Sequence, residues 1–162
     1  GIHAGSSEQQ GMINKRWDKD NFVKVADILS EELDCKFLIF GGPEESELKK
    51  YIYDKMNYKP IIVNTENIMD TIALISKCNV FLTNDTGLMH MAAAFDVPVV
   101  VIEGPVGPNK TLPLNKSKAI HIDLFCRPCY VVGEKLQCRF GHYNCLKFID
   151  INKVVNAVKS FL

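Results

Sequence analysis

The sequence predicts an α/β fold: a parallel sheet covered by helices on both faces. Three observations carry this. Short runs that are apolar at every position alternate with segments whose apolar residues recur at helical spacing. Strands without a polar face belong to sheets buried on both sides. Glycine, proline and small hydroxyl residues punctuate the joins. With 162 residues, 47% of them hydrophobic, the chain suffices for one domain with a substantial core.

The elements follow in order. Ile2-His3 ends a first strand, and Gly5 to Asn14 is a polar loop. The chain opens as if that strand were already under way, which predicts further sequence upstream. From Asp18 to Leu33, the residues Phe22, Val25, Ala26, Leu29 and Leu33 repeat with a helical period. Lys36 to Phe40 is a buried strand closed by Gly41-Gly42-Pro43. Pro43 to Glu47 starts a helix running to about Lys55, because proline and carboxylates favour a first turn. Pro60 to Val63 is a short strand. Asn67 caps a helix through Ile68, Ile72, Leu74, Ile75 and Cys78. A strand follows from Val80, then a helix from Gly87 to about Phe95, then the strand Pro98 to Ile102. Beyond Gly104-Pro105-Val106-Gly107-Pro108 the pattern loosens. Ala119 to Ile122 reads as an edge strand, and the segment rich in cysteine as loop. Ile151, Val154, Val155 and Val158 share one face of a closing helix.

Charge excludes some functions. Nineteen basic residues balance nineteen acidic ones, so no electrostatic footprint for nucleic acid or an anionic membrane exists. No apolar run approaches the ~20 residues that a bilayer span needs. The chain also lacks a secretory pattern, which predicts a reducing compartment with few disulfides. Cys35 and Cys78 then read as buried free thiols.

The chemistry concentrates at Asp85-Thr86-Gly87, where a buried strand feeds a helix. The first amides of a helix lack internal partners and carry the positive end of its dipole, so they attract phosphate. Gly87 removes a Cβ from the path of an anion. Thr86 offers a hydroxyl, Asp85 can accept from sugar hydroxyls, and His90 lies one turn on, on the same side. In a parallel sheet the ligand sits at the carboxyl ends of strands. Three more loops should converge there: Gly5-Ser6-Ser7, Gly41-Gly42-Pro43-Glu44 and Glu103-Gly104-Pro105. Ser6 and Ser7 could hold phosphate oxygens, Lys15 could neutralise a diphosphate, and Glu44 suits a ribose diol. The glycines do not match a dinucleotide fingerprint, and no P-loop lysine motif is present.

Cys126, Cys129, Cys138 and Cys145 follow the spacing C-x2-C-x8-C-x6-C, with His142 among them. Four thiolates could hold a tetrahedral zinc; the alternative is a set of free thiols. A four-cysteine site leaves no open position, so no catalytic metal is predicted.

These residues resemble the C-terminal half of family 9 glycosyltransferases, the lipopolysaccharide heptosyltransferase group. The resemblance runs almost end to end. It is carried by Gly1-Ile2-His3-Ala4-Gly5-Ser6-Ser7, by Lys15-Arg16-Trp17 and by Phe40-Gly41-Gly42-Pro43-Glu44-Glu45. The most specific stretch is Asn84-Asp85-Thr86-Gly87-Leu88-Met89-His90-Met91-Ala92-Ala93-Ala94 with Val97-Pro98-Val99. It implies a Rossmann-like, doubly wound half of a GT-B enzyme: residues 1–162 as one nucleotide-sugar domain, with the acceptor domain outside the chain. It implies an inverting transfer that needs no metal or cofactor, from a donor such as ADP-heptose to a glycan or glycolipid. Lys15, Asp85 and His90 would act in catalysis. Ser6, Ser7, Glu44, Thr86 and Gly87 would bind the donor. A cytoplasmic enzyme follows, soluble or peripheral at the inner membrane. A nucleotide-sugar epimerase and a zinc-stabilised interaction module stay open as alternatives.

Overall fold

A computed structural model describes all residues, 1–162. Six strands form one parallel sheet: β1 (Ile2–His3), β2 (Leu38–Ile39), β3 (Ile61–Ile62), β4 (Phe81–Asn84), β5 (Val99–Ile102) and β6 (Ser117–Ile120). Their spatial order is β3-β2-β1-β4-β5-β6, a doubly wound arrangement that reverses direction at β1 and β4. The switch point therefore lies between the two strands that carry His3 and Asp85.

Side-chain alternation explains why the central strands are apolar throughout. Ile2, Leu82, Val100 and Ile102 face a core completed by α1 (Lys19–Leu33) and α7 (Ile151–Lys159). Phe81, Val99 and Val101 face the opposite core, filled by Met89 and Ala92 of α4 (Gly87–Ala94) and Ile75 of α3 (Ile68–Ile75). Helix starts follow their caps. Asp18 accepts from the Asp20 amide at 2.9 Å, Asn67 from Asp70 at 2.9 Å, and Asp150 from Asn152 at 2.8 Å. Pro43–Glu45 forms a 3-10 turn leading into α2 (Ser46–Lys55). No helix is long and apolar enough to cross a membrane.

Three expectations needed adjustment. The edge strand β6 lies two residues earlier than Ala119 to Ile122, because pairing of Val99 with Ser117 and of Ile102 with Ile120 sets its register. Half of a partly exposed edge strand is polar, so its apolar pattern alone misplaces it. Two four-residue helices, α5 (Pro108–Thr111) and α6 (Asn144–Lys147), are too short to show a period. Cys35 and Cys78 are free as expected but only half-buried. They border a cavity of about 800 Å³ with Leu29, Phe37, Val158 and Leu162, at the amino ends of the strands.

Candidate functional site

All strands run parallel, so the loops after β1, β2, β4 and β5 meet on one edge. Asn84, the last residue of β4, ties the end of that strand to the loop after β1 from a fully buried position. Its Nδ2 donates to the carbonyls of Ala4 at 2.8 Å and Gly5 at 3.2 Å, and its Oδ1 accepts from the Trp17 amide at 2.9 Å. Trp17 is itself anchored against Phe22, with ring centroids 5.2 Å apart. Fixing Trp17 aims the two cations that precede it. Arg16 turns into the first loop, where its guanidinium donates to the Ser6 hydroxyl at 3.1 Å and to the Ser6 carbonyl. Lys15 reaches across to Asp85, Nζ to Oδ2 3.1 Å, with both side chains largely buried.

A second network lies beneath. His3 Nε2 stands 3.0 Å from Glu45 Oε2, and its Nδ1 3.1 Å from Thr86 Oγ1. Thr83 Oγ1 lies 3.3 Å from the same Thr86 hydroxyl. Burial pushes the Glu45 carboxyl up. The hydrogen bond and charge of His3, the Gly42 amide and Arg16 outweigh that and hold it below its ordinary value. Gly5 is required by this carboxylate, since a Cβ there would fall 1.6 Å from Glu45 Oε1.

The start of α4 is left open. Thr86 occupies the N-cap with extended backbone, but its hydroxyl is held by His3 and does not cap the helix. The amides of Gly87 and Leu88 consequently donate to nothing in the protein. A Cβ added at Gly87 would meet no atom within 4 Å. Two unpaired amides thus follow directly on Asp85, whose carboxylate pairs with Lys15, and an open helix start of this kind suits an anion.

Lys15, Asp85, Thr86 and Gly87 come together as predicted from the sequence. His90 stands exposed one turn along α4, free of packing. The Ser6 hydroxyl is spent on its own loop, donating to the Met12 carbonyl at 2.9 Å. Ser7 is exposed, and its hydroxyl accepts from the Gln9 amide at 3.2 Å just ahead of the 3-10 turn over Gln9–Lys15. Glu44 is exposed and outside the networks, whereas its neighbour Glu45 is buried within them.

Sequence reasoning missed His3, Asn84, Glu45 and Glu103 as individuals. Glu103 carried a readable signal: a carboxylate directly after four buried strand residues. It is wholly inaccessible, and neither carboxylate oxygen has a partner. Burial, then the charge of Asp85, pushes its pKa up to about 7, against opposing pulls from the charges of Arg127 and Lys15. No third metal-ligating side chain joins Asp85 and Glu103 in ligating geometry. Beside the α4 start, a cavity of about 380 Å³ opens between the loops after β2 and β3, bordered by Gly42, Asn64, Thr65 and Leu88. Lys49 closes its floor, donating to the carbonyls of Gly41 at 3.1 Å and Val63 at 3.0 Å.

Comparison with known proteins identifies the family. A family model described as glycosyltransferase family 9 (heptosyltransferase) matches residues 2–140. A lipooligosaccharide heptosyltransferase 2 of Campylobacter jejuni is 36% identical over 155 residues, covering 91% of this chain and 47% of that protein. The chain spans about half the length of such relatives. The structure of Escherichia coli ADP-heptose lipopolysaccharide heptosyltransferase II superposes with a TM-score of 0.77 at 26% identity, over 99% of this chain and 45% of that one. A family 9 glycosyl transferase of Veillonella parvula gives 0.80 at 27% identity, over 99% and 45%. By sequence and by fold, this chain belongs to glycosyltransferase family 9.

Proposed function

We propose that the chain is the donor-binding half of an inverting glycosyltransferase of lipopolysaccharide core synthesis, and that its donor is ADP-heptose. The observation that carries this reading is the Lys15–Asp85 pair set beside the unpaired amides of Gly87 and Leu88. A diphosphate placed on those amides competes with Asp85 for the Lys15 ammonium. As Lys15 moves to the phosphate, the Asp85 carboxylate is released to accept hydrogen bonds from the sugar hydroxyls. Binding of the anion thereby arms the residue that reads the sugar. The nucleoside end fits the cavity between Gly42, Asn64 and Leu88, with Leu88 of α4 beside the diphosphate position.

The same groups favour the chemical step. Negative charge builds on the departing diphosphate as the bond to the anomeric carbon breaks. Preoriented donors and a cation stabilise that charge more strongly than they stabilise the intact donor. Thr86 and its partners His3 and Thr83 fix the backbone that carries these amides. The acceptor hydroxyl still needs a base, which this reading places in the other half of the enzyme.

Titration calorimetry with ADP, beside a sugar-transfer assay on these 162 residues alone, tests the assignment. Saturable ADP binding with negligible transfer is expected. Full turnover by this chain alone, or no nucleotide binding at all, contradicts it.

A further inference from the structure

The segment between β6 and α7 turns large apolar side chains outward. Phe125 is 88% exposed and Val132 80%, and Val131 and Phe140 are exposed with them. These residues form one surface. The rings of Phe125 and Phe140 meet edge to face with centroids 5.4 Å apart, and His142 stacks on Phe140 at 5.6 Å. Phe125, Pro128, Val131, Arg139 and Phe140 border one shallow cavity of about 350 Å³. Val131, Lys135 and Arg139 border a second, smaller one beside it. Scattered exposed apolar residues are ordinary, but a contiguous patch marks a contact surface.

Charge is uneven in the same place. The chain is neutral as a whole, yet from Phe125 to Phe140 three cations, Arg127, Lys135 and Arg139, stand against Glu134 alone. Lys135 and Arg139 are exposed and form no ion pair within the chain. Asp123, just ahead of the patch, lies 3.4 Å from His121 instead.

The patch is fastened to the edge of the sheet that holds the candidate site. Arg127 donates to the carbonyls of Gly104 and, at 3.0 Å, Val106. The amides of Cys129 and Tyr130 both donate to the Pro105 carbonyl, at 3.0 and 3.3 Å. The Leu136 amide donates to the Gln10 carbonyl at 2.8 Å, and the Leu136 carbonyl accepts from Asn14 Nδ2 at 2.9 Å. The segment thus bridges the loop after β5 and the loop after β1, and Lys15 belongs to the latter.

We propose that Phe125, Val131, Val132 and Phe140, with Lys135 and Arg139, dock this edge on the surface of an anionic lipid bilayer. The rings and valines enter the interfacial layer, and the two cations meet lipid phosphates. Cations interleaved with aromatic rings suit that layer, whereas the core of a protein interface is depleted of charge. So small a patch gives weak, reversible binding. The inference rests on the proposed function in one respect: an acceptor anchored in a bilayer gives this edge a reason to face one.

The test is sedimentation of the 162-residue chain with vesicles of phosphatidylethanolamine and phosphatidylglycerol, and with vesicles of phosphatidylcholine alone. Binding to the anionic vesicles only, weakened by added salt, is expected. Lys135→Gln/Arg139→Gln should lower it roughly 30-fold, about fivefold per cation. Phe125→Ser/Phe140→Ser should lower it on the order of tenfold or more. In Phe125→Trp the new indole emission should shift to the blue on the anionic vesicles, over a constant background from Trp17, the one native tryptophan and a buried one. ADP affinity should be unchanged in every variant, which shows that each is folded and keeps this test separate from that of the donor site. No binding to the anionic vesicles, equal binding to phosphatidylcholine, or binding that both double variants retain in full would overturn the proposal. A dimer in solution that Phe125→Ser/Phe140→Ser disperses would also overturn it, by giving the patch to a second copy of the chain.

Discussion

Lys15→Met is expected to weaken ADP binding by roughly 10- to 150-fold, the equivalent of about 1.5–3 kcal/mol for one charge-assisted hydrogen bond. The side chain is largely buried, so screening by solvent is incomplete. Methionine keeps the apolar stem and removes only the cation. The variant also leaves Asp85 without its 3.1 Å partner, so stability should fall as well. Asp85→Asn separates the two effects. It removes a negative charge beside the diphosphate position, so affinity for ADP should hold or rise. The additional affinity for an ADP-sugar over ADP should be lost, because an amide does not replace the carboxylate as a double acceptor. Calorimetry with ADP and an ADP-sugar on both variants measures this. Equal loss of ADP affinity in both would contradict the exchange of Lys15 from Asp85 to phosphate.

Glu103→Gln should reverse its effect on stability between pH 5 and pH 8. The folded-state pKa of about 7 lies above the ordinary 4.5, so the native state binds a proton that the unfolded chain releases. The contribution of the protonated carboxyl is intact below the unfolded value. It is lost progressively as pH rises to about 7 and stays lost above that. At 1.36 kcal/mol per unit the ceiling is about 3 kcal/mol. The glutamine amide carries its own burial cost of about 1–3 kcal/mol. A net gain on the order of 1–2 kcal/mol at pH 8, and no gain or a loss at pH 5, should therefore appear in urea unfolding. Parallel pH profiles for the two proteins would show that Glu103 does not carry the proton. Donor affinity should share this pH dependence, because ionised Glu103 adds a negative charge near Lys15 and Asp85.

Much of the fold was legible because its signals are local. The buried strands β4 and β5 and the capped helices α1, α3 and α7 rest on apolar runs, helical periods and single capping residues. The Asp85-Thr86-Gly87 turn was legible for the same reason: a strand end, a small residue and a helix start are contiguous in sequence. What stayed hidden depends on contacts across the chain. His3 meets Glu45, 42 residues away, and Asn84 meets Ala4, 80 residues away. No spacing rule distinguishes Glu44 from Glu45, since burial of one depends on where the 3-10 turn at Pro43 points it. Ser6 reads as a phosphate-binding hydroxyl until Arg16 and Met12 are seen to occupy it. Family membership, in turn, sets aside the epimerase reading, which the sequence pattern alone had left open.

Backbone amide NMR of the labelled chain, titrated with ADP, tests the anion site most directly. The Gly87 and Leu88 resonances should move most, as amides without partners acquire phosphate oxygens, with Thr86 and the Lys15 region following. Shifts centred instead on Leu29, Phe37 and Leu162, around the cavity at the amino ends of the strands, would contradict the account.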